Sequence, residues 1–304
     1  MPTVPPISFA RGAPSLDIIA VEDLRKAADR AFQNDPQGTF SYGTSGGYVP
    51  LRDWIAEYHG VAREQIVATN GSMQADAFLF ELLVQPGDTV VVEAPTYDRT
   101  LLSLTKLGAE ILAIPLEADG IDVGALEAAL DEDESVVYAS SFSKTVCPGI
   151  RVGYLLGPEE LIAAVRKRAT ETYISPNMVA QAIVAEFCHS GSIDRSIATV
   201  KAALRERRDA TCAALDRHLP DARYVTPEGG YFLWVDLPEG TDVAELATRS
   251  AERGVVFEKG TGFMIEGGEN SLRLAYSAVP PDQIEEAIGR IAEGYRELAA
   301  PARA

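Results

Sequence analysis

The chain has 304 residues, 46% of them hydrophobic and 24% charged, enough to bury one large or two medium cores. Its net charge of −18 excludes nucleic acid and anionic membranes as partners on global electrostatics, so any anionic ligand must be gripped locally. No apolar run approaches the ~20 residues that span a bilayer, and the first residues lack a basic-then-apolar leader, which places the expected protein in the cytoplasm. Three scattered cysteines without CxxC, and only three histidines, suggest neither a disulfide framework nor a metal site.

In chain order, Val21–Phe32 carries apolar residues at helical spacing and is expected to be an amphipathic helix. A Gly-rich loop from Ser41-Tyr42-Gly43 to Gly46-Gly47-Tyr48 leads to a helix over Leu51–His59. Gln65–Thr69 is expected as a strand that turns at Asn70-Gly71-Ser72 into a helix over Met73–Leu83. Thr89–Glu93 is an apolar strand ending at Ala94-Pro95-Thr96-Tyr97, Asp98–Leu107 a helix, and Glu110–Pro115 the next strand. Apolar strands alternating with helices predict a mostly parallel sheet covered on both faces. Beyond it, Arg151–Leu156 reads as a strand, Pro158–Thr170 as a charged helix and Ile193–Leu219 as one long helix. The last third gives strands at Gly230–Leu237, Val255–Phe257 and Ser271–Ser277, then a closing helix over Pro281–Ala299. The expected domains are an α/β unit over 31–190 and a smaller α+β unit made of 1–30 with 191–304.

Chemistry concentrates at Ser141-Phe142-Ser143-Lys144, after the β-branched run Ser135–Ala139 and before Arg151 and Gly153. A lysine ending a buried strand, flanked by hydroxyls with an arginine nearby, suits pyridoxal phosphate: the amine meets the aldehyde while serine and arginine hold the phosphate. The N-terminus of the helix after Asn70-Gly71-Ser72 is a second phosphate-holding feature, since its first N–H groups lack internal partners. Tyr97, at a strand's carboxyl end, can stack on a flat ring or simply cap the strand. Arg273, among apolar neighbours in Leu272-Arg273-Leu274, needs a carboxylate, either from the protein or from a bound acid.

These segments occur together and in order, with Pro86-Gly87-Asp88, Pro148-Gly149 and Pro227-Glu228-Gly229-Gly230-Tyr231-Phe232 between them. From about Ile7 to the end, the chain resembles fold-type I pyridoxal-phosphate-dependent aminotransferases of class I/II. It is most similar to the aminoadipate-aminotransferase-like group that also forms the C-terminal domain of MocR-type regulators. The resemblance implies Lys144 as the Schiff-base lysine and proton carrier. It implies that Ser72, Met73, Ser141 and Arg151 hold the phosphate, that Tyr97 stacks on the ring, and that Tyr42 reaches the phosphate of a partner subunit in a homodimer. Arg273 is implied to take the α-carboxylate of the substrate, with Gly12 bordering it. The partners implied are an amino acid and a 2-oxo acid, with no DNA-binding role. The chain departs from the pattern in one place. Only Asp131–Ser143 separates the Gly120–Leu130 segment from Lys144, and no Asn-Pro-Thr-Gly occurs. Two strand–helix units carrying the Asn and Asp partners of the cofactor ring are therefore missing. Their loss leaves open a second reading, a binding protein or an altered lyase or racemase chemistry. The acidic run Asp131–Glu134 is expected at the wrong end of its strand to replace them.

Overall fold

The computed structural model describes residues 6–117, 120–129 and 136–299. Its strands are β1 (Ile7–Ser8), β2 (Ile66–Thr69), β3 (Thr89–Ala94), β4 (Glu110–Glu117), β5 (Gly120–Ile121), β6 (Tyr138–Ser141), β7 (Gly153–Leu156), β8 (Phe232–Asp236), β9 (Val255–Val256), β10 (Glu258–Lys259) and β11 (Ser271–Ala275). The helices are α1 (Val21–Asn34), α2 (Pro36–Phe40), α3 (Val49–His59), α4 (Ser72–Leu83), α5 (Asp98–Leu107), α6 (Val123–Ala129), α7 (Glu159–Tyr173), α8 (Met178–His189), α9 (Ser192–His218), α10 (Val243–Glu252) and α11 (Pro281–Ala299).

One core gathers Leu51, Ile66, Phe142, Val152 and Phe187 between α1, α3, α8 and the sheet β2-β7-β6. A second gathers Phe9, Leu215, Leu233, Leu274 and Ile288 beneath the antiparallel sheet β10-β11-β8. The sheet β2-β7-β6 fixes the site. β7 runs antiparallel to both neighbours, and Gly153 pairs with Thr69 on one side and Ser141 on the other. The turn that leads to Ser72, the turn that leads to Lys144 and the approach from Arg151 therefore leave the sheet at one end. A side chain at Gly153 would lie 2.6 Å from the Ser72 nitrogen and 2.8 Å from the Ser140 carbonyl oxygen. Only glycine lets the three segments converge so closely.

Several expectations change. β7 starts at Gly153 rather than Arg151, because Arg151 takes a left-handed conformation (φ 51°) after a one-turn helix at Pro148–Ile150. Sequence reading passed over α8, whose N-terminus is capped by the Asn177 side chain on the Ala180 N–H (3.0 Å). Its apolar residues surround nearly the whole helix, so it lacks the one-sided stripe that marks a surface helix. The short α2 was also passed over.

The lysine strand is not buried as expected. Tyr138 and Ala139 are exposed, and β6 is hydrogen-bonded to β7 alone. β3 likewise has only β4 beside it, and Val90, Val91 and Val92 remain half-buried although their sequence is that of a central strand. Among the described residues no strand joins the sheet β2-β7-β6 to the sheet β3-β4-β5. The lysine strand does not dock against the remaining parallel strands. The two open edges sit where the missing strand–helix units were inferred. The Asp131–Glu134 run lies outside the described residues.

Candidate active site

At the end of the sheet β2-β7-β6, Gly71 (φ 90°) turns the chain sharply from β2 into α4, a conformation that strains any other residue. A Cβ there would lie 2.5 Å from Arg151 Nη2, so the guanidinium rests on the N-terminus of α4. Arg151 Nη1 donates to Ser143 Oγ (3.3 Å) and to the Pro148 carbonyl (3.4 Å), while Ser141 Oγ donates to Ser143 Oγ (2.9 Å). A cation against the positive end of a helix is repulsive, and among the described residues Arg151 has no ion pair. Two hydroxyls and the free N–H groups of the first turn complete an anion site. The phosphate of pyridoxal phosphate fits there.

Lys144 follows this cluster directly. Its Nζ donates to the Gly12 carbonyl and lies 5.3 Å from the centre of the Tyr231 ring, whose hydroxyl donates to the Lys144 carbonyl (2.6 Å). Burial, then the charges of Arg273 and Arg151, hold the Lys144 amine below the usual lysine range. A lysine so placed reaches its neutral, nucleophilic form at lower pH. Arg273→Gln removes one of these like charges, so the amine binds its proton more tightly. The pH profile of borohydride-trapped cofactor labelling at Lys144 is then expected to move to higher pH; an unchanged profile would mean that the two charges are not coupled.

The Arg273 guanidinium lies over the rings of Phe232 and Phe263, each ring centre 4.3 Å away. Nη2 donates to the Ala10 carbonyl (2.6 Å), while Nε is buried without a partner. Gly12 packs so tightly on Phe232 that any Cβ would collide with the ring. The structure therefore brings together Lys144, Gly12 and Arg273, and separately Ser72, Ser141 and Arg151. Met73 and Tyr97 meet through the tyrosine hydroxyl and the Met73 sulfur (3.8 Å), with Tyr97 47% exposed. Tyr42 stands apart, 87% exposed. Sequence reasoning missed the roles of Tyr231, Phe263 and the Ala10 carbonyl. Tyr231 was inside a quoted motif, but nothing in the residue type gave its hydrogen bond to the Lys144 carbonyl.

A lysine beside a two-hydroxyl, arginine-backed anion cradle fits the site of a pyridoxal-phosphate-dependent aminotransferase of fold type I. The match to the family described as aminotransferase class I and II covers residues 4–139 and 130–291, and the chain belongs to that family. It is 28% identical to the 2-aminoadipate transaminase of Thermus thermophilus, covering 97% of this chain and 91% of the relative. It is 26% identical to aromatic-amino-acid aminotransferase 1 of Thermococcus litoralis, covering 96% of this chain and 88% of the relative. The crystal structure of the Thermus thermophilus alpha-aminoadipate aminotransferase complexed with N-(5'-phosphopyridoxyl)-L-leucine superposes with a TM-score of 0.90 at 26% identity, covering 97% of this chain and 93% of that one.

The match to the Thermococcus protein runs over 367 aligned positions, more than the 304 residues of this chain, so that relative carries residues within the matched span that are lacking here. The two stretches of the family match meet at 130–139, directly before Lys144. The cofactor is pyridoxal 5'-phosphate, and the reaction moves an amino group between an amino acid and a 2-oxo acid. No described helix is long and apolar enough to cross a membrane.

Proposed function

We propose that this aminotransferase acts on L-amino acids with large apolar or aromatic side chains, exchanging their amino group with a 2-oxo acid. The observation that carries this is Arg273, which lies over the rings of Phe232 and Phe263 with an unpartnered Nε. The guanidinium edge offers a planar fork for the α-carboxylate, and the two rings beside it offer apolar surface to the substrate side chain. Arg11, next to Gly12, is exposed, in keeping with a surface arginine. The names of the relatives, aromatic and 2-aminoadipate enzymes, leave both classes in the family.

When bound, pyridoxal phosphate supplies an electron-withdrawing ring that acidifies the hydrogen on the substrate Cα. Ser141, Arg151 and the N–H groups of Ser72 and Met73 would hold its phosphate, and Tyr97 would flank its ring. Lys144 would supply the amine that takes the aldehyde and the base that moves the substrate Cα proton. Tyr231 holds the lysine backbone and, with the Gly12 carbonyl, aims Nζ. The exposure of Tyr42 supports a homodimer in which it serves the phosphate site of a partner subunit. The two cores favour a first division after Ile18 rather than near residue 30, since Leu24, Ala27 and Ala31 of α1 pack in the first core, and a second within α9 between Ile197 and Val200.

Transfer rates from L-phenylalanine, L-leucine, L-2-aminoadipate and L-aspartate to 2-oxoglutarate test the substrate class. The first two are expected to be fastest in kcat/KM by about tenfold or more, in line with burial of an aromatic or branched side chain. A lead for aspartate or 2-aminoadipate would overturn it.

A further inference from the structure

α9 buries a guanidinium that touches none of the cofactor-site residues. The Arg207 side chain is 3% exposed. Nη1 donates to Ser15 Oγ (2.8 Å) and to the Ser277 carbonyl, and Nη2 to Asp17 Oδ2 (2.7 Å). Two of these three partners lie in the N-terminal segment rather than in the body of the fold. A buried cation is stable only with its donors satisfied, so Arg207 and these partners hold one another in place.

The segment it holds is tied at intervals. At its start β1 pairs with β9, and Phe9 donates to the Val256 carbonyl (2.7 Å) and accepts from the Ala275 N–H (2.7 Å). Further on, Ser277 Oγ donates to the Ala13 carbonyl (3.0 Å). Its far end is Arg207's. Between these ties lie the Ala10 and Gly12 carbonyls, which accept from Arg273 and Lys144. Both cations of the substrate end of the site thus donate to one irregular segment, which Phe9 ties at one end and Arg207 at the other.

We infer that Arg207 is a positioning residue for substrate recognition: through Ser15 and Asp17 it fixes the segment that orients Arg273, and so sets affinity for the substrate carboxylate without touching the ligand. This rests on the reading of Arg273 as the carboxylate fork. Loosening the anchor lets the Ala10 carbonyl drift, and Arg273 then loses the partner that fixes its fork. The effect falls on ligands that carry a carboxylate and spares those that do not.

The test uses the full chain and two ligands that need no turnover. N-(5'-phosphopyridoxyl)-L-leucine carries the α-carboxylate, while pyridoxamine 5'-phosphate shares its phosphate and ring but lacks the acid. The anchor is loosened by Ser15→Ala with Asp17→Ala, which leaves the buried Arg207 guanidinium without its ion pair and lowers stability, so affinities are compared at a temperature where circular dichroism shows every chain fully folded. Calorimetric affinity for the leucine adduct is expected to fall about tenfold, the size of one lost charge-assisted hydrogen bond, with affinity for pyridoxamine 5'-phosphate unchanged. In an Arg273→Gln background the same pair of changes is expected to add nothing. Equal losses for both ligands, no loss for either, or a full loss still present in Arg273→Gln would overturn the inference. A wild-type chain that does not prefer the adduct over pyridoxamine 5'-phosphate overturns the carboxylate reading of Arg273 and this inference with it. That outcome is distinguished by appearing before any variant is made.

Discussion

Lys144→Ala, purified with pyridoxal phosphate and reduced with borohydride, is expected to carry no cofactor at position 144 and to transfer amino groups at least about 10²–10⁴-fold more slowly, the range for loss of a positioned acid–base group. The amine both anchors the cofactor and moves the proton, and no second lysine is found in the cluster with Ser141, Ser143 and Arg151. Lys144→Arg is expected to be as inactive, since arginine keeps the charge but has no neutral nucleophilic form near neutral pH. Phosphate binding is expected to survive both changes, because the α4 N-terminus, Ser141 and Arg151 do not depend on the lysine. Equal labelling in the Lys144→Ala chain, found by peptide mapping, would remove Lys144 from its role.

The second large effect concerns the open edges of β3 and β6. Replacing residues 130–135 by the longer segment that the Thermus thermophilus 2-aminoadipate transaminase carries at this place is expected to join the two sheets. It gives Thr89–Ala94 and Tyr138–Ser141 the neighbours they lack, and it covers Tyr138, Leu112 and Leu116, which are 47%, 45% and 40% exposed. Half-buried valines on β3 then become core, and an unpaired edge, which otherwise invites self-association, disappears. The melting temperature is expected to rise on the order of 10 °C, which corresponds to a few kcal/mol for a chain of this size. Turnover is expected to rise about 10²–10³-fold, because preorganised polar groups at a reacting centre contribute on that scale. A graft that melts where the parent does and turns over no faster would show that the shortened sheet already holds the cofactor ring.

Much of the site was legible because its chemistry is local in sequence. Ser141, Ser143, Lys144 and Arg151 lie within eleven residues of one another, and Asn70-Gly71-Ser72 announces a strand-to-helix turn by residue type alone. Arg273 declared its need for a carboxylate through its apolar neighbours. The conformation of Arg151 was not legible. Val152-Gly153-Tyr154-Leu155-Leu156 has strand character throughout, and only the contact with Gly71 shows why the arginine must bend away before the strand begins. Helix α8 escaped for the opposite reason, being apolar all round where periodicity needs contrast.

The sequence by itself determined the family, the cofactor and the residue types that meet it, because these depend on short motifs whose backbone geometry is nearly fixed by Gly, Ser and Lys at set spacings. The absence of a segment before Lys144 was also readable there, as a spacing too short for two strand–helix units. Tertiary structure alone decided what that absence does. β6 and β3 keep open edges instead of closing on each other, each hydrogen-bonded to one partner strand alone among the described residues. It alone placed Arg273 over the rings of Phe232 and Phe263 and ran the N-terminal segment from Arg207 past Arg273 to Lys144. The contacts of that segment join residues some 130 to 260 positions apart, where no local pattern carries information and only packing selects the partner.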